Sequence, residues 1–519
     1  MKRRISDVIS EEDIKTWKAG DNVLIAAPMG AGKSYFCKNP LYLIAKKAGD
    51  KILMLIHRKN CVEQFTYELE EDFKTDVIDV ITYQSMEFKK LHNISSQIDL
   101  SQYKYIVCDE FHYFFNDSSF NNKTAVSFKM IMENKTSTHV FMSATGEHMT
   151  RYMKKYIKDN KLDAPIEYEI PFDFSFIKCL TFFNKDDTME AFLKEGIEKG
   201  TKGIFFIQKA EKAYKLYSKY KEYCVFNCSS NNKKYYDYVE EKKIQQILKE
   251  QRFEEQFLIT TACFDAGINI IDRDVKHIVI DIVDIDSLIQ CMGRKRIQDE
   301  DDKVYIYIKA ISNQRLAGLK RSMEEKVKMA DFYMQNGYSV EKLIDKYPMQ
   351  NDPNNILYDD LVYDEEGKVI PETYTKTVNE PMYFKKKEDI ADYAIMLEIY
   401  KKYGYCKFLA QKFGFYNYDT GEYTYRMINE EYGLENYLEK MVADEVVLLQ
   451  QKDRSELISM INAKQDGKLL KKVATLNQVL EERELDYRIK EFETTRYIED
   501  SDGNKKKKKY KNAWKIVRF

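Results

Sequence analysis

Short apolar runs alternate with longer amphipathic segments along the first 150 residues of the chain. The apolar runs lie at 22–27, 51–56, 77–81, 104–108 and 138–142. Runs that are apolar throughout are typical of strands buried on both faces, and amphipathic segments between them are typical of helices that cover a parallel sheet. The pattern therefore predicts an α/β lobe over residues 1–150.

The same alternation returns farther along the chain. Apolar runs lie at 203–207, 223–226, 256–260, 276–282 and 303–308. They predict a second parallel-sheet lobe over residues 179–310. The stretch 151–178, which carries Pro165 and Pro171, is predicted to connect the two lobes.

Residues 311–519 form an accessory region of different character. This region is rich in lysine and tyrosine, and apolar residues recur at helical spacing over 389–413 and 434–460. We therefore predict that it is mostly helical. Two short strand-like segments, 361–363 and 369–370, flank a polar turn and predict a small hairpin.

The end of the chain predicts a second hairpin, over 492–519. A helical segment precedes it, and its second strand is basic: residues 505–519 contain seven lysines, one arginine and no acid. This arrangement is similar to the wing of a winged-helix module.

The basic strand supplies candidate nucleic-acid contacts. Lys505, Lys507 and Lys509 are candidates for binding phosphates, and Trp514 is a candidate for stacking on a base. A solvated lysine tail without a binding role is the alternative that the sequence leaves open.

Composition limits the classes of partner. The 83 basic and 85 acidic residues give a formal net charge of −2, so nucleic acid would have to bind to local patches. The nine cysteines show neither a disulfide framework nor the paired spacing of a zinc site. Because no apolar stretch reaches the roughly 20 residues of a membrane span, we expect a cytoplasmic protein that does not bind a membrane.

A glycine-rich turn follows the first predicted strand and has the pattern of a P-loop, with Ala27 where glycine is usual. In such a loop, backbone N–H groups face the phosphates of a nucleotide. Here those groups belong to Gly30, Ala31 and Gly32. Lys33 is the candidate contact to the β and γ phosphates, and the Ser34 hydroxyl is a candidate Mg²⁺ ligand. The turn therefore predicts bound ATP with Mg²⁺.

Two adjacent carboxylates, Asp109 and Glu110, follow the fourth apolar run. In a P-loop ATPase the first acid of such a pair holds Mg²⁺ and the second polarises the attacking water. An acidic pair alone is equally typical of a solvated turn, but its combination with the P-loop favours catalysis. Asp109 is therefore the candidate metal residue and Glu110 the candidate base.

These residues, with others in the same order, resemble the superfamily 2 helicases and translocases of the DExH kind. Residues 109–112 match the DExH box, and residues 143–145 match the SAT motif that links ATP hydrolysis to movement on nucleic acid. The resemblance implies a coupling role for His112, Ser143 and Thr145.

Two weaker matches in the first lobe resemble nucleic-acid contacts of the same family. One is Arg58, which follows the run 51–56, and the other is the pair Thr82 and Tyr83. In the second lobe, a segment that includes Thr261 resembles motif V and implies a further contact to nucleic acid. Gly267 and Asn269 of that motif are implied nucleotide contacts.

Residues 290–296 resemble motif VI of the family. The resemblance implies that Gln290 senses the γ-phosphate and that Arg294 is an arginine finger, which meets the charge developing on that phosphate. The second arginine of the motif falls one position early, as Arg296, and Ile297 occupies its usual place. Arg296 is therefore a second candidate whose reach across the lobes is open.

The resemblance covers about residues 20–310 and implies the fold and the activity together. The fold class is α/β, with two tandem RecA-like parallel-sheet lobes before the mainly helical C-terminal region. The implied activity is that of an ATP-hydrolysing, Mg²⁺-dependent helicase that translocates along a single strand, with single-stranded or forked DNA favoured over RNA. A lysine- and asparagine-rich composition favours a replication helicase of a phage or mobile element, with a replication or defence protein as a possible partner of the C-terminal region.

Two other functions stay open. One is a duplex translocase or remodeller in a restriction or defence complex. The other is an ATP-gated switch that binds nucleic acid and recruits a partner, a hypothesis that the displaced Arg296 keeps open.

Overall fold

Two parallel sheets form the framework of the protein, as the apolar runs predict. The structure is a computed structural model, and it describes residues 3–91, 98–116, 124–144, 147–261, 269–348, 352, 356–363, 369–428, 430–465, 468–483, 485–499 and 505–518.

The first lobe contains a six-stranded sheet in which every pairing is parallel. Its strands are β1 (Asn22–Ala26), β2 (Ile52–Ile56), β3 (Ile78–Thr82), β4 (Tyr105–Asp109), β5 (Thr138–Ser143) and β6 (Ile166–Glu169). Their order across the sheet is β3-β2-β4-β5-β1-β6. Each apolar run of this lobe forms one of β1 to β5, whereas β6 comes from the stretch 151–178 that the sequence assigns to the connection.

Helices cover both faces of this sheet. They are α1 (Glu11–Thr16), α2 (Lys33–Phe36), α3 (Tyr42–Ala48), α4 (Lys59–Glu71), α5 (Tyr83–Leu91), α6 (Tyr113–Asn116), α7 (Thr124–Glu133) and α8 (Glu147–Asp159). Successive strand residues point to opposite faces, so Ile25 and Leu24 belong to separate hydrophobic clusters on the two sides. Two-sided burial explains why the strands are apolar throughout.

The second lobe repeats this architecture. Its own strands are β7 (Ile177–Phe183), β8 (Lys202–Ile207), β9 (Cys224–Asn227), β10 (Phe257–Thr260), β11 (Val275–Asp281) and β12 (Val304–Lys309). Its helices are α9 (Asp186–Lys199), α10 (Ala210–Lys219), α11 (Lys233–Tyr236), α12 (Glu241–Glu250) and α13 (Ile285–Met292). Both lobes are therefore RecA-like, with a parallel sheet between two layers of helices.

The first half of the C-terminal region packs against both lobes. Its helices are α14 (Asn313–Gln335), α15 (Val340–Lys346), α16 (Glu380–Glu398) and α17 (Gly404–Lys412). The strands β13 (Leu357–Tyr363) and β14 (Val369–Val378) pair antiparallel, which confirms the small predicted hairpin.

A short strand of the C-terminal region, β15 (Arg426–Ile428), pairs parallel with β7 and completes the sheet of the second lobe. The order across that sheet is β15-β7-β12-β11-β8-β10-β9. The C-terminal region is thus continuous with the second lobe.

The last part of the chain forms a separate small module with its own hydrophobic core. Its elements are α18 (Glu430–Ala443), β16 (Val447–Leu448), α19 (Gln451–Ile461), β17 (Lys464–Gln465), β18 (Lys468–Leu469), α20 (Val473–Glu482), β19 (Tyr487–Glu499) and β20 (Lys505–Arg518). In the main sheet the order is β16-β20-β19, with antiparallel pairing. Apart from the small β17–β18 hairpin, this succession of helix, strand, two helices and a final hairpin is that of a winged helix. The module therefore begins at α18, well before the hairpin that the sequence identified.

The outer half of the β19–β20 hairpin extends past the core of the module. We call residues 493–499 and 505–511 the distal arm. Core side chains of the hairpin, such as Ile489 and Ile516, lie at its base, whereas residues 506–509 of the arm are exposed lysines. None of the helices that the structure describes is both long enough and apolar enough to cross a bilayer.

Candidate nucleotide site between the lobes

The P-loop joins β1 to α2 at the carboxyl end of the first sheet. Gly30 and Gly32 have φ values of +82° and +86°, in a region that glycine enters without steric cost. Gly32 is the N-cap residue of α2, so the first residue of the helix is Lys33. The Lys33 ammonium donates a hydrogen bond to the carbonyl of Ala27 at 3.2 Å. The loop therefore has the strongly turned backbone that the glycine spacing predicts.

The acidic pair lies beside the P-loop, where β4 ends. Glu110 Oε1 is 3.6 Å from Lys33 Nζ. Asp109 Oδ1 and Glu110 Oε2 are buried and have no hydrogen-bond partner among the described residues. Buried polar atoms of this kind are rare in folded proteins, and a metal ion or a water held beside them would satisfy both.

The two carboxyl groups differ in how readily they ionise. Burial, and after it the charge of Glu110, raises the pKa of Asp109. Burial also opposes ionisation of Glu110, but the neighbouring charges, of which Lys33 is the largest, outweigh it and lower the pKa of Glu110. Glu110 is thus the more readily ionised member of the pair, and a bound divalent cation would favour ionisation of Asp109.

A chain of polar side chains crosses from one lobe to the other through His112. Its Nδ1 lies 2.9 Å from Ser143 Oγ, and its Nε2 lies 2.9 Å from Gln290 Nε2. Because the amide of Gln290 donates in this arrangement, Nε2 accepts and Nδ1 carries the hydrogen. The backbone of Ser143 accepts a hydrogen bond from the N–H of Ala27 at 3.0 Å. The chain therefore links α13 of the second lobe to the P-loop strand of the first.

Both arginines of the motif VI segment face the P-loop side of the interface. Arg294 is only 8% exposed, and its charge contributes to the low pKa of Glu110. Arg296 donates to Asn269 Oδ1 at 2.7 Å, and its Nη1 lies 3.4 Å from where a Cβ on Gly30 would be. Burial, and then the charge of Arg294, lowers the pKa of Arg296 to about 10, so it stays a cation at neutral pH. Although Arg296 stands one position early in the motif, its guanidinium still lies beside the P-loop.

These groups surround one inter-lobe cavity of about 920 Å³. Its wall combines side chains of the first lobe with side chains of the second. Those predicted from the sequence are Gly30, Gly32, Lys33, Ser34, Arg58, Asp109, Glu110, His112, Thr261, Asn269, Gln290, Arg294 and Arg296. Ser143 lies behind this wall, in contact with His112. Gly267 and Thr145 lie outside the described residues.

Several cavity residues were missed by the sequence analysis. His57 precedes Arg58, and burial lowers the pKa of His57 to about 3, so its ring is neutral at physiological pH. Ser229, Asn231 and Asn232 line the second-lobe side. The only sequence feature that indicates these three residues is that they belong to a polar run directly after the apolar strand β9.

Two predicted nucleic-acid contacts lie in the hydrophobic core. Tyr83 is fully buried, donates to the carbonyl of Asp109 at 3.0 Å and stacks on Tyr113 with 4.5 Å between ring centroids. Trp514 is 4% exposed and donates its indole N–H to Glu491 at 2.9 Å. Neither ring is accessible to a base in this structure, because Tyr83 lies in a core of the first lobe and Trp514 in the core of the C-terminal module.

The other nucleic-acid candidates are distributed over three places. Arg58 is exposed at the start of α4. Thr82 caps α5 by accepting a hydrogen bond from the N–H of Ser85 at 3.0 Å. Lys507 and Lys509 are exposed on the distal arm, and Lys505 begins its second strand.

The protein ligands for a cation are few in this cavity. Within the described ranges, no group of three or more His, Cys, Asp or Glu side chains is arranged to hold a metal ion. A site shared between Ser34, Asp109 and the phosphates of a nucleotide needs fewer protein ligands, as Mg²⁺ sites with phosphates commonly do. The unsatisfied Asp109 oxygen fits such a shared site.

The comparison with protein families gives a match in the first lobe. Residues 3–148 match the family described as "Type III restriction enzyme, res subunit". The match covers the first lobe and does not extend to the second lobe or the C-terminal region. A search of curated proteins found no match.

Solved helicase structures show a distant likeness. Dbp5 of S. cerevisiae, bound to RNA and ADP BeF3, is 17% identical over 56% of this chain and 79% of its own, with a TM-score of 0.42. The Hef helicase domain of Pyrococcus furiosus is 14% identical over 62% of this chain and 100% of its own, with a TM-score of 0.35. The DUF1998 helicase MrfA, bound to DNA and AMPPNP, is 15% identical over 56% of this chain and 46% of its own, with a TM-score of 0.42. At these values the assignment of the fold rests on the sheets themselves.

Proposed function

We propose that the protein is an ATP-dependent nucleic-acid motor: a helicase that hydrolyses Mg-ATP and translocates along a single strand. One observation carries the proposal. A single cavity brings Lys33 and Glu110 of the first lobe together with Arg294 of the second. A nucleotide bound there would contact both lobes, so its hydrolysis would change the relative position of the lobes.

Each cavity residue has a defined part in this proposal. Lys33 and the backbone N–H groups of the P-loop would hold the phosphates of ATP. Ser34 and Asp109 would hold Mg²⁺, which neutralises phosphate charge when it is bound. Glu110 would orient the attacking water and accept its proton.

The second lobe supplies the cations that complete the site. Arg294 meets the charge that develops on the γ-phosphate, and Arg296, on the same cavity wall, is a second candidate for that role. The hydrogen bonds from Gln290 through His112 to Ser143 form only while α13 lies against the first lobe. We assign these three residues to coupling between closure and the P-loop.

The proposed nucleic-acid contact outside the lobes is the distal arm. In a winged helix the alternative contact is the last helix before the hairpin, here α20. The exposed residues within α20 include Ala474, Gln478 and Glu481 but no lysine or arginine. Asn477 of that helix is held by the backbone of Ile489, through hydrogen bonds of 3.0 and 2.8 Å. Binding through the arm would therefore be to phosphates and independent of base sequence.

A duplex translocase within a restriction complex is the second candidate. The observation that favours it is the family match over residues 3–148, whose description is that of a restriction enzyme subunit. The same match makes DNA the favoured track. A role in the replication of a phage or mobile element, with a protein partner on the C-terminal region, is a further possibility within the same activity.

Steady-state ATPase assays test the proposal directly. Turnover would be measured for the protein alone and with single-stranded DNA, duplex DNA and RNA, with Lys33→Ala as the blank. Strong stimulation by single strands, together with displacement of a labelled strand from a forked duplex, is the expected result. Stimulation by duplex without displacement would instead support the translocase. ATP binding without turnover on any polymer would contradict both and leave the ATP-gated switch.

A further inference from the structure

Helix α16 lies where the two lobes and the C-terminal region meet. It contains 19 residues, which corresponds to about 28 Å. Near its start, Phe384 packs into the core of the first lobe, with its ring centroid 5.4 Å from that of Tyr152. Near its end, Met396 is fully buried in the core of the second lobe. A single helix therefore packs against both lobes.

Two side-chain contacts join α16 to α8 of the first lobe. Glu388 Oε2 lies 2.9 Å from Arg151 Nη2, and Asp392 Oδ2 lies 3.3 Å from His148 Nε2. Helix α8 is the element that follows Ser143, a member of the hydrogen-bonded chain through His112. The first-lobe contact of α16 is thus made at an element adjacent to the nucleotide site.

Lys385 connects α16 to the second lobe. It is 5% exposed, and its ammonium is 2.5 Å from Asp389 on the same helix, 3.7 Å from Asp286 and 3.9 Å from Asp284. Asp284 is the N-cap of α13 and accepts a hydrogen bond from the N–H of Ser287 at 2.8 Å. Lys385 therefore faces the first turn of α13.

The charges around this lysine keep it protonated. Burial opposes the charged form, but the carboxylates, of which Asp389 has the largest effect, outweigh burial and raise the pKa of Lys385 above its usual range. Two further nitrogen-bearing side chains approach the same carboxylates: Lys386 lies 3.6 Å from Asp389, and His148 Nδ1 lies 3.9 Å from Asp286. Only Lys385 lies within 4 Å of both α13 carboxylates among the described residues.

Helix α13 carries Gln290, and Arg294 follows shortly after its end. We propose that Lys385 is a positioning residue for the inter-lobe nucleotide site, because it holds the first turn of α13 and thereby the placement of Gln290 and Arg294 opposite Glu110. This inference rests on the proposed ATPase function. It gives the C-terminal region a direct part in assembling the site, since α16 belongs to that region and not to either lobe's own chain segment.

The test compares a charge-removing variant with a matched control on the same helix. Lys385→Met removes the charge and keeps most of the side-chain length, whereas Lys385→Arg keeps the charge. Lys387→Met is the control, since Lys387 is exposed and pairs with Asp331 of α14 at 3.4 Å. Where Lys385→Met does not fold, Lys385→Gln takes its place, because its amide can still donate to the buried carboxylates.

Two measurements are made on each variant. Hydrogen exchange over residues 285–292 is measured in the nucleotide-free protein, so that this result does not depend on turnover. The kcat for ATP hydrolysis and the dissociation constant of ATP are then measured separately. For Lys385→Met we expect faster exchange in that segment, a fall in kcat of about 10- to 100-fold because the arginine is misplaced, and a much smaller change in ATP affinity. Lys385→Arg should restore most of the kcat.

Specific results would overturn the inference. Exchange and kcat equal to those of Lys387→Met would show that Lys385 does not position α13. Faster exchange along the whole chain with unchanged kcat would show a structural role only. If the wild-type protein has no turnover that depends on Lys33, the proposed function fails, while the exchange measurement still decides whether Lys385 holds α13.

Discussion

The inter-lobe cavity and the distal arm both concentrate charge, but the charges are held in different ways. In the cavity, Lys33, Glu110 and Arg294 are mostly buried, and the charges of Lys33 and Arg294 lower the pKa of Glu110. On the arm, Lys507 and Lys509 are exposed to solvent. Buried charges interact strongly and are little screened, whereas exposed ones are screened by salt.

This difference separates two kinds of mutational effect. Single substitutions in the cavity should change turnover by large factors that hardly depend on ionic strength. Substitutions on the arm should change nucleic-acid affinity by smaller, cumulative factors that depend on salt. The predictions below test that separation, from the largest effect to the smallest.

The largest expected effect is that of Arg294, the proposed arginine finger. Arg294→Ala should lower kcat by about 10³- to 10⁵-fold, the range found for arginine fingers. Arg296→Ala should have a smaller effect, because part of the Arg296 guanidinium is already occupied by its hydrogen bond to Asn269. Steady-state ATPase at two salt concentrations measures both. An equal loss in the two variants would mean that the arginines act together.

The second-largest effect on kcat is expected for Glu110→Gln. It removes the carboxylate that accepts the proton of water and spares the phosphate contacts of the P-loop, so kcat should fall by about 10²- to 10⁴-fold. ATP binding, measured by fluorescence titration, should remain. Glu63→Gln, on an exposed glutamate of α4, is the control. Undiminished hydrolysis by Glu110→Gln would contradict the assignment of the base.

Substitutions on the distal arm should change the affinity for nucleic acid. The triple variant Lys507→Gln, Lys508→Gln and Lys509→Gln should weaken nucleic-acid binding and leave basal ATPase intact. Each lysine that contacts a phosphate contributes about 0.7 to the slope of log affinity against log salt for a single strand and about 0.9 for duplex. Fluorescence anisotropy over a salt series measures the slope. Because Glu493 lies 2.5 Å from Lys509, Lys509 should contribute least.

A matched triple variant controls for net charge. Lys221, Lys242 and Lys249 are exposed lysines of the second lobe, and their replacement by glutamine removes the same charge. The slope should then stay at its wild-type value. The same decrease in both triple variants would show that the arm has no special part in binding.

The smallest effect is expected at the base of the arm. Trp514→Phe keeps most of the buried ring but loses the hydrogen bond to Glu491, so the protein should lose about 1 kcal/mol of stability. Nucleic-acid affinity should not change, because the ring is not exposed. Urea unfolding and anisotropy measure the two quantities. A loss of affinity at constant stability would restore Trp514 as a candidate for base stacking.

The features predicted most accurately from the sequence are those that depend on residues adjacent in the chain. The P-loop turn and the acidic pair are contiguous motifs, and the two-sided burial of strands such as β2 produces unbroken apolar runs. These features identified both sheets and the part of the cavity wall that the P-loop and the acidic pair form.

Features that depend on distant contacts could not be predicted. The strand β15 has only three residues, too few to show a period. Tyr83 and Trp514 carry side chains that suit either a core or a binding surface, and only their packing decides between the two. The reach of Arg296 to Gly30 and the contact of Lys385 with α13 each join residues that are far apart in the chain.

The edge position of β15 bears on how the protein can be divided into fragments. A fragment ending near residue 310 would contain both lobes by sequence criteria, yet it would lack β15 and leave one side of β7 without backbone partners. Open strand edges invite association with other chains, and the apolar surfaces that α16 and α17 cover would be exposed at the same time. Such a two-lobe fragment should aggregate during expression even with every residue of the proposed nucleotide site intact.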